Sequence, residues 1–323
     1  MHVLIFGGCG FVGLNVAQAL LERGHHVTLF DRAELPVSAQ RAFAGFDARL
    51  RVLHGDVTDV GAVAAAIETG CDALVLGAAI TADSTRDASE PDRILAVNLV
   101  AQVPMLQAAR HAGVKRVINL SSGAAYGANG PRFPILDETT PCDPVSLYSI
   151  TKFASERVVA RLAELWQTDV ISVRLSGVFG PFERAGGVRD TPSPQALIAA
   201  CCERGEPALL SEPAEKDWIY APDVAEAVSI LLEARKPQHA LYNISNQAIF
   251  TAEAWGRAFA SGRDGFVCRL ARDGETPTVP AHSPARGRLS IARLADEFGW
   301  RAKFDCATSA KHFGRWFDAY QGA

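Results

Sequence analysis

Short runs of consecutive apolar residues alternate along the chain with longer stretches whose apolar positions recur every three or four residues. Val3 to Phe6 (VLIF) shows the first pattern; Phe11 to Arg23 (FVGLNVAQALLER) shows the second and is closed by Gly24. A run apolar at every position is buried on both faces, whereas three-to-four spacing gives a helix one apolar side. The alternation continues through strands at His26 to Phe30, Arg51 to His54 and Ala73 to Leu76. A long helix from about Pro91 to Ala112 leads into a strand at Arg116 to Leu120, and a helix at Ser146 to Leu165 feeds another at Val170 to Leu175. The pattern predicts an α/β fold, a doubly wound parallel sheet between two helix layers.

Beyond Gly180 the periodicity loosens and Gly, Pro and charged residues thicken, as in GPFERAGGVRDTPSP. Helices are expected around Pro194–Arg204, Pro222–Glu233, Thr251–Ala260 and Ser290–Phe298, and Pro277 to Gly287 reads as an irregular surface segment. Residues 177–323 are therefore expected to form mainly a smaller C-terminal α+β portion over the carboxyl ends of the sheet, with some segments returning to the first part, 1–176.

Composition narrows the class. With 323 residues, 48% hydrophobic and 21% charged, the chain has ordinary globular proportions. A formal charge of −4 gives no basic field for nucleic acid or an anionic membrane. No apolar run reaches membrane-spanning length, and the first residues start a strand without a charged-then-apolar leader. Seven cysteines without a CxxC, and eight histidines without ligand spacing, speak against a disulfide framework or a metal site. The expectation is a reduced, cytoplasmic protein with no metal, acting on a small molecule.

GGCGFVG follows the first strand, with Gly7, Gly10 and Gly13 at GxxGxxG spacing. Between a buried strand and a helix, such glycines let the backbone turn tightly and approach a pyrophosphate at the helix N-terminus. The second strand ends at Asp31, eighteen residues after Gly13, where a carboxylate can accept both adenosine ribose hydroxyls. It would repel the extra phosphate of NADP more than the neighbouring Arg32 attracts it, so NAD is the expected cofactor. Asp56, in HGDVTD, can meet the adenine amino group; a helix cap is its competing role, more naturally filled by Thr58 or Asp59.

LYSITKF places Tyr148 and Lys152 four residues apart, on one helix face. A phenol ionises near pH 10, and a neighbouring cation stabilises the phenolate and brings that value toward a usable range. NLSSGAAYG, at the end of the preceding strand, offers a hydroxyl to the same crevice from Ser121 or Ser122; spacing alone does not separate them. Arg184, Arg189 and Ser193 sit in ERAGGVRDTPSP, where either arginine can clamp a substrate carboxylate or phosphate or remain in solvent. Trp218 and Tyr220 alternate and are expected to split between core and pocket wall, while Cys9 is expected to be a small filler within the glycine loop.

These motifs run in order: GGCGFVG, DR at Asp31, HGDVTD, AVNLVA around Asn98, SSGAAYG, YSITK, RLSGVFGP and KDWIYAPDVAEAV. The chain resembles the extended short-chain dehydrogenase/reductase superfamily, in its NAD-dependent epimerase/dehydratase group. The resemblance spans Val3 to about Ala227, with a weaker match at FGWRAKF. It implies a Rossmann-type sheet in residues 1–176, with Ser122 as the catalytic hydroxyl, Tyr148 as acid/base and Lys152 as its partner on the nicotinamide ribose. It also implies a dinucleotide lined by Gly7, Gly10, Phe11, Val12, Gly13, Asp31, Arg32, Asp56, Val57, Gly77, Ala78, Ala79, Asn98, Tyr148 and Lys152. A homodimer built on the helices containing Asn98 and Tyr148 is implied as well.

Two departures shape the functional expectation. Related dehydratases carry an Asp-Glu pair directly after the catalytic hydroxyl; here those positions are Gly123 and Ala124, so dehydration is not expected. Sugar-nucleotide epimerases carry an asparagine where RLSGVFG has Gly177, and favour arginine where Lys216 precedes DWI. The leading expectation is an NAD-dependent oxidoreductase of a carbohydrate-like substrate, a sugar or sugar acid, bound near Ser122, Gly123, Tyr148, Arg184, Arg189 and Lys216. Its rivals are a nucleoside-diphosphate-sugar epimerase, such as a UDP-glucose 4-epimerase, that retains its NAD, and a non-catalytic NAD-binding protein.

Overall fold

The computed structural model describes residues 1–68, 70–184, 189–281 and 286–320. Seven parallel strands form its centre: β1 (His2–Phe6), β2 (His26–Asp31), β3 (Leu50–His54), β4 (Ala73–Leu76), β5 (Arg116–Ser122), β6 (Val170–Leu175) and β7 (Leu241–Ile244). Their spatial order is β3-β2-β1-β4-β5-β6-β7. Side chains alternate along each strand, and β1 shows the consequence: Val3 and Ile5 enter one core layer, Leu4 and Phe6 the other. The first layer is closed by the helices Phe11–Glu22 and Ala221–Glu233, the second by Val60–Glu68, the helical stretch after Pro91 and Leu147–Trp166. Strand order reverses between β1 and β4, and a crevice opens beyond their carboxyl ends.

The helix expected from Pro91 to Ala112 is not uniform. Regular turns at Pro91–Leu95 and Gln102–His111 flank a widened π-type turn at Ala96–Val100. Asn98 occupies that turn, fully buried. It accepts from Ile80 N–H at 2.7 Å and donates to Ile80 C=O at 3.0 Å and to the Thr151 hydroxyl. Wide turns of this kind re-aim a side chain at a local rise in backbone irregularity.

The second half contributes to both parts of the molecule. β7 extends the sheet beside β6, and Ala221–Glu233 covers it next to Phe11–Glu22. Short strand pairs, such as Gly177–Phe179 with Trp218–Tyr220 and Ala208–Leu210 with Cys268–Leu270, build the remainder. Trp218 and Tyr220 are both buried in the core, at 1% and 0% exposure, and neither lines the cavities described below. A helix unforeseen in the sequence reading, Cys306–Tyr320, packs Phe313 and Phe317 against Trp255 and Phe259, and Trp316 against Phe182. Its three- and four-residue apolar spacing is the ordinary helical signal. Of the expected surface segment Pro277 to Gly287, residues 282–285 lie outside the described residues. Among the described residues, no helix is long and apolar enough to cross a membrane.

Candidate active site

The glycine loop leaves β1 with Gly7 at φ 76°, a left-handed conformation that favours glycine. A Cβ there would lie 2.6 Å from Ala78 N, and one on Gly13 would lie 2.4 Å from Gly7 O, so neither position admits a side chain. The loop is drawn across the sheet by Gly7 N–H and Gly8 N–H, which donate to Phe30 C=O. The Cys9 N–H donates to Asp31 at 3.0 Å, and Ala33 N–H holds the other carboxylate oxygen at 2.9 Å. Cys9 is buried, and burial first, then the Asp31 charge, pushes its thiol up to about 12. It packs into the core layer beneath the loop.

Two adjoining cavities open from this loop and share Gly10, Asp31, Arg32, Gly77 and Ala79. The smaller, about 80 Å³, is also lined by Asp56, Val57, Ala78, Ile80 and Arg93. Asp59 caps the helix that follows it, accepting from Ala62 N–H. Asp56 pairs with Arg93 at 2.6 Å and accepts from Thr58. Burial opposes ionisation of Asp56, but these hydrogen bonds and the guanidinium outweigh it and hold the carboxyl at about 2. Asn98 does not line the cavity as expected. Every polar atom it has is spent on Ile80 and Thr151, so it positions Ile80 in the wall and touches no ligand space itself.

The larger cavity, about 420 Å³, is lined by Phe11, Val12, Thr81, Tyr148, Lys152, Phe182, Arg184 and Arg189 among others. Its chemical end rests on the helix Leu147–Trp166. Ser146 caps that helix in a reciprocal pair with Ser149, and Asp87 takes the Leu147 N–H at 3.0 Å. Lys152, 3% exposed, donates to Leu120 C=O at 2.7 Å and stands 5.9 Å from the centre of the Tyr148 ring. Burial lowers this lysine to about 8, opposed by the Glu156 charge. Burial likewise raises the Tyr148 phenol, while the Ser122 hydroxyl, the Arg189 charge and the Thr81 hydroxyl pull it back down. The two serines left equivalent by spacing now separate: Ser122 reaches Tyr148, and Ser121 donates to Glu156.

Charged groups surround the rest of the crevice. Arg189 is held by Glu183 at 2.9 Å, over the Phe11 ring at 5.4 Å, and its backbone pairs with Thr81. Ser193, the other candidate in that segment, gives its hydroxyl to Glu183 and caps the helix Pro194–Glu203. Arg184 is exposed, and residues 185–188 of the same segment lie outside the described residues. Gly123 faces Arg286, whose guanidinium is 3.2 Å from where its Cβ would stand; Arg286 in turn is fixed by Asp217 at 3.1 Å and Ser176 at 2.8 Å. Lys216 lies over Trp218 at 5.1 Å, and burial, then the Arg286 charge, lowers it to about 8. Gly177 has Trp218 2.7 Å and Lys216 2.9 Å from its Cβ position, so an asparagine would not fit.

Sequence reasoning missed Thr81, Arg93, Glu156, Arg174 and Arg286. Glu156 had an available signal, since it follows Tyr148 and Lys152 at the same four-residue step. Arg174 had one too, as a charge inside the buried run VISVRL. Arg286 had none.

A family model described as the NAD dependent epimerase/dehydratase family matches residues 3–245. The chain belongs to this family, whose members include the extended short-chain dehydrogenases/reductases its motifs resemble. It is 27% identical over 318 residues to a UDP-glucose 4-epimerase of Corynebacterium glutamicum, covering 93% of this chain and 90% of that protein. It is 34% identical over 167 residues to a D-erythronate dehydrogenase of Cupriavidus necator, covering 50% of each. In fold it matches a Thermotoga maritima UDP-glucose 4-epimerase solved with UDP-glucose, with TM-score 0.78, 22% identity and coverage of 98% and 99%.

Proposed function

We propose that the protein oxidises a carbinol of an anionic, carbohydrate-like substrate, with NAD as the hydride acceptor and Tyr148 as the base. The observation that carries this reading is the contact set of Tyr148: hydroxyls of Ser122 and Thr81 on the phenol, Lys152 beneath its ring, and the glycine-loop crevice beside it. The residues present fit the dinucleotide, because the loop admits no side chain at Gly7 or Gly13 and Asp31 stands at the crevice with both oxygens oriented. When bound, NAD would supply the acceptor for the hydride of the carbinol carbon. Tyr148 removes the hydroxyl proton, Ser122 and Thr81 orient the oxygen, and the Lys152 ammonium stabilises the phenolate. The Arg189 charge acts on the phenol and suits a carboxylate on the substrate. The C-terminal portion contributes Lys216 and Arg286 to the substrate side.

A second reading is favoured by one observation. Arg286 stands beside Gly123 and Lys216 beside Gly177, and the Arg286 charge acts on Lys216; two such cations also suit a diphosphate. An epimerase of nucleoside-diphosphate sugars would use the same half-reaction, keep NADH bound and return the hydride to the other face. Purified protein mixed with NAD and a panel of sugar acids, free sugars and UDP-sugars separates them by reduced-nicotinamide absorbance. Release of NADH with a sugar acid supports the dehydrogenase; isomerised UDP-sugar without net NADH supports the epimerase; neither, across the panel, sinks both. Val100, Ile150 and Leu165, exposed on the paired helices beneath the site, support a homodimer, which light scattering would reveal.

A further inference from the structure

The last three residues of β5 are each tied to the helix Leu147–Trp166. Leu120 C=O accepts from Lys152, the Ser121 hydroxyl donates to Glu156, and the Ser122 hydroxyl meets the Tyr148 phenol. Tyr148, Lys152 and Glu156 recur every four residues, so one helix face carries all three. Glu156 is 5% exposed and grips Arg174 of β6 through Nε at 2.9 Å and Nη2 at 2.7 Å. Arg174 lies 4.6 Å from the centre of the Tyr126 ring, and the Tyr126 hydroxyl hydrogen-bonds to Asn243 of β7. The strand end and the helix are thus linked through one buried carboxylate.

We propose that Glu156 is a positioning residue: it fixes the strand end bearing Ser122 and places a buried negative charge one helical turn beyond Lys152, behind Tyr148. The inference rests on the reading of Tyr148 and Lys152 given above. The competing role is a brace only, since a buried ion pair can often be exchanged for apolar residues at no loss of stability. Lys152 is surrounded by Glu156 and Tyr148 on its own helix, Arg174 on β6 with Tyr126 behind it, and Arg189 across the cavity. Of these, Glu156 is the carboxylate that opposes the effect of burial on the lysine. Without it, Lys152 loses its proton at lower pH and the phenolate loses its counter-charge.

The test reads Lys152 through cofactor binding and needs no substrate. An ammonium near the nicotinamide disfavours the positive ring of NAD relative to neutral NADH. The preference for NADH, from fluorescence titrations of both nucleotides between pH 6 and 10, should therefore fall as pH rises through about 8 in the wild type. In Glu156→Gln the midpoint should move down by about one pH unit. The double variant Glu156→Gln/Arg174→Met strands no charge in the core, carries the test if the single variant does not fold, and should show the same direction. An unmoved midpoint overturns the proposal and leaves Glu156 a brace. Failure of the wild type to bind either nucleotide would instead sink the cofactor reading itself.

Discussion

Asp31 accepts a hydrogen bond from the Cys9 N–H at 3.0 Å, joining the carboxyl end of β2 to the middle of the glycine loop. This contact does two jobs. It closes the loop over the sheet, and it aims one carboxylate oxygen while Ala33 N–H aims the other.

Replacing Asp31 with Ala is therefore expected to relax the preference for NAD over NADP by about tenfold, equivalent to ~1.4 kcal/mol. The ratio of the two dissociation constants, measured by tryptophan quenching, checks it. An unchanged ratio would mean that the ribose is read by another residue.

Tyr148→Phe removes the base and should lower turnover by about 10²–10⁴. The fold and NAD affinity should stay close to wild type, because the substitution removes one hydroxyl and leaves the ring in place. Retention of most activity would overturn the assignment of Tyr148.

Asn98→Ala strands the N–H and C=O of Ile80 in the core, so it should destabilise the fold by about 3 kcal/mol. NAD binding should weaken as well, because Ile80 lines the smaller cavity. Thermal unfolding and cofactor titration read the two effects separately, and an unchanged melting temperature would refute the role given to this side chain.

Asp223 is a buried carboxyl that accepts the N–H groups of Lys303 and Phe304, and burial raises it from 3.8 to about 6. A raised folded-state value means the fold favours the protonated form. Its contribution is fully present below about pH 4 and is lost as pH rises through 6. Stability relative to Asp223→Asn should therefore fall by up to about 3 kcal/mol between pH 4 and 7. Urea unfolding at the two pH values measures it, and parallel curves would contradict the shift.

Much of the frame was legible before the structure. The strands β1 and β4 were visible as uninterrupted apolar runs because a sheet covered on both faces demands them. The helix carrying Tyr148 was visible because Ser146 announces its start. The widened turn at Asn98 was not, since it arises from a hydrogen bond to Ile80 that helical periodicity does not encode. Nor was the burial of both Trp218 and Tyr220, which lie in a strand enclosed on each side by other parts of the chain.

The sequence by itself determined what depends on near neighbours: the layers of the fold, the bare glycine loop, and a tyrosine and lysine on one helix face. Only the tertiary structure decided which serine meets Tyr148, that Glu156 and Arg174 stand behind Lys152, and that Arg286 reaches Gly123. Spacing fixes the direction a side chain takes from its own element. What it meets there is set by how separate elements pack, through contacts among residues far apart in the chain.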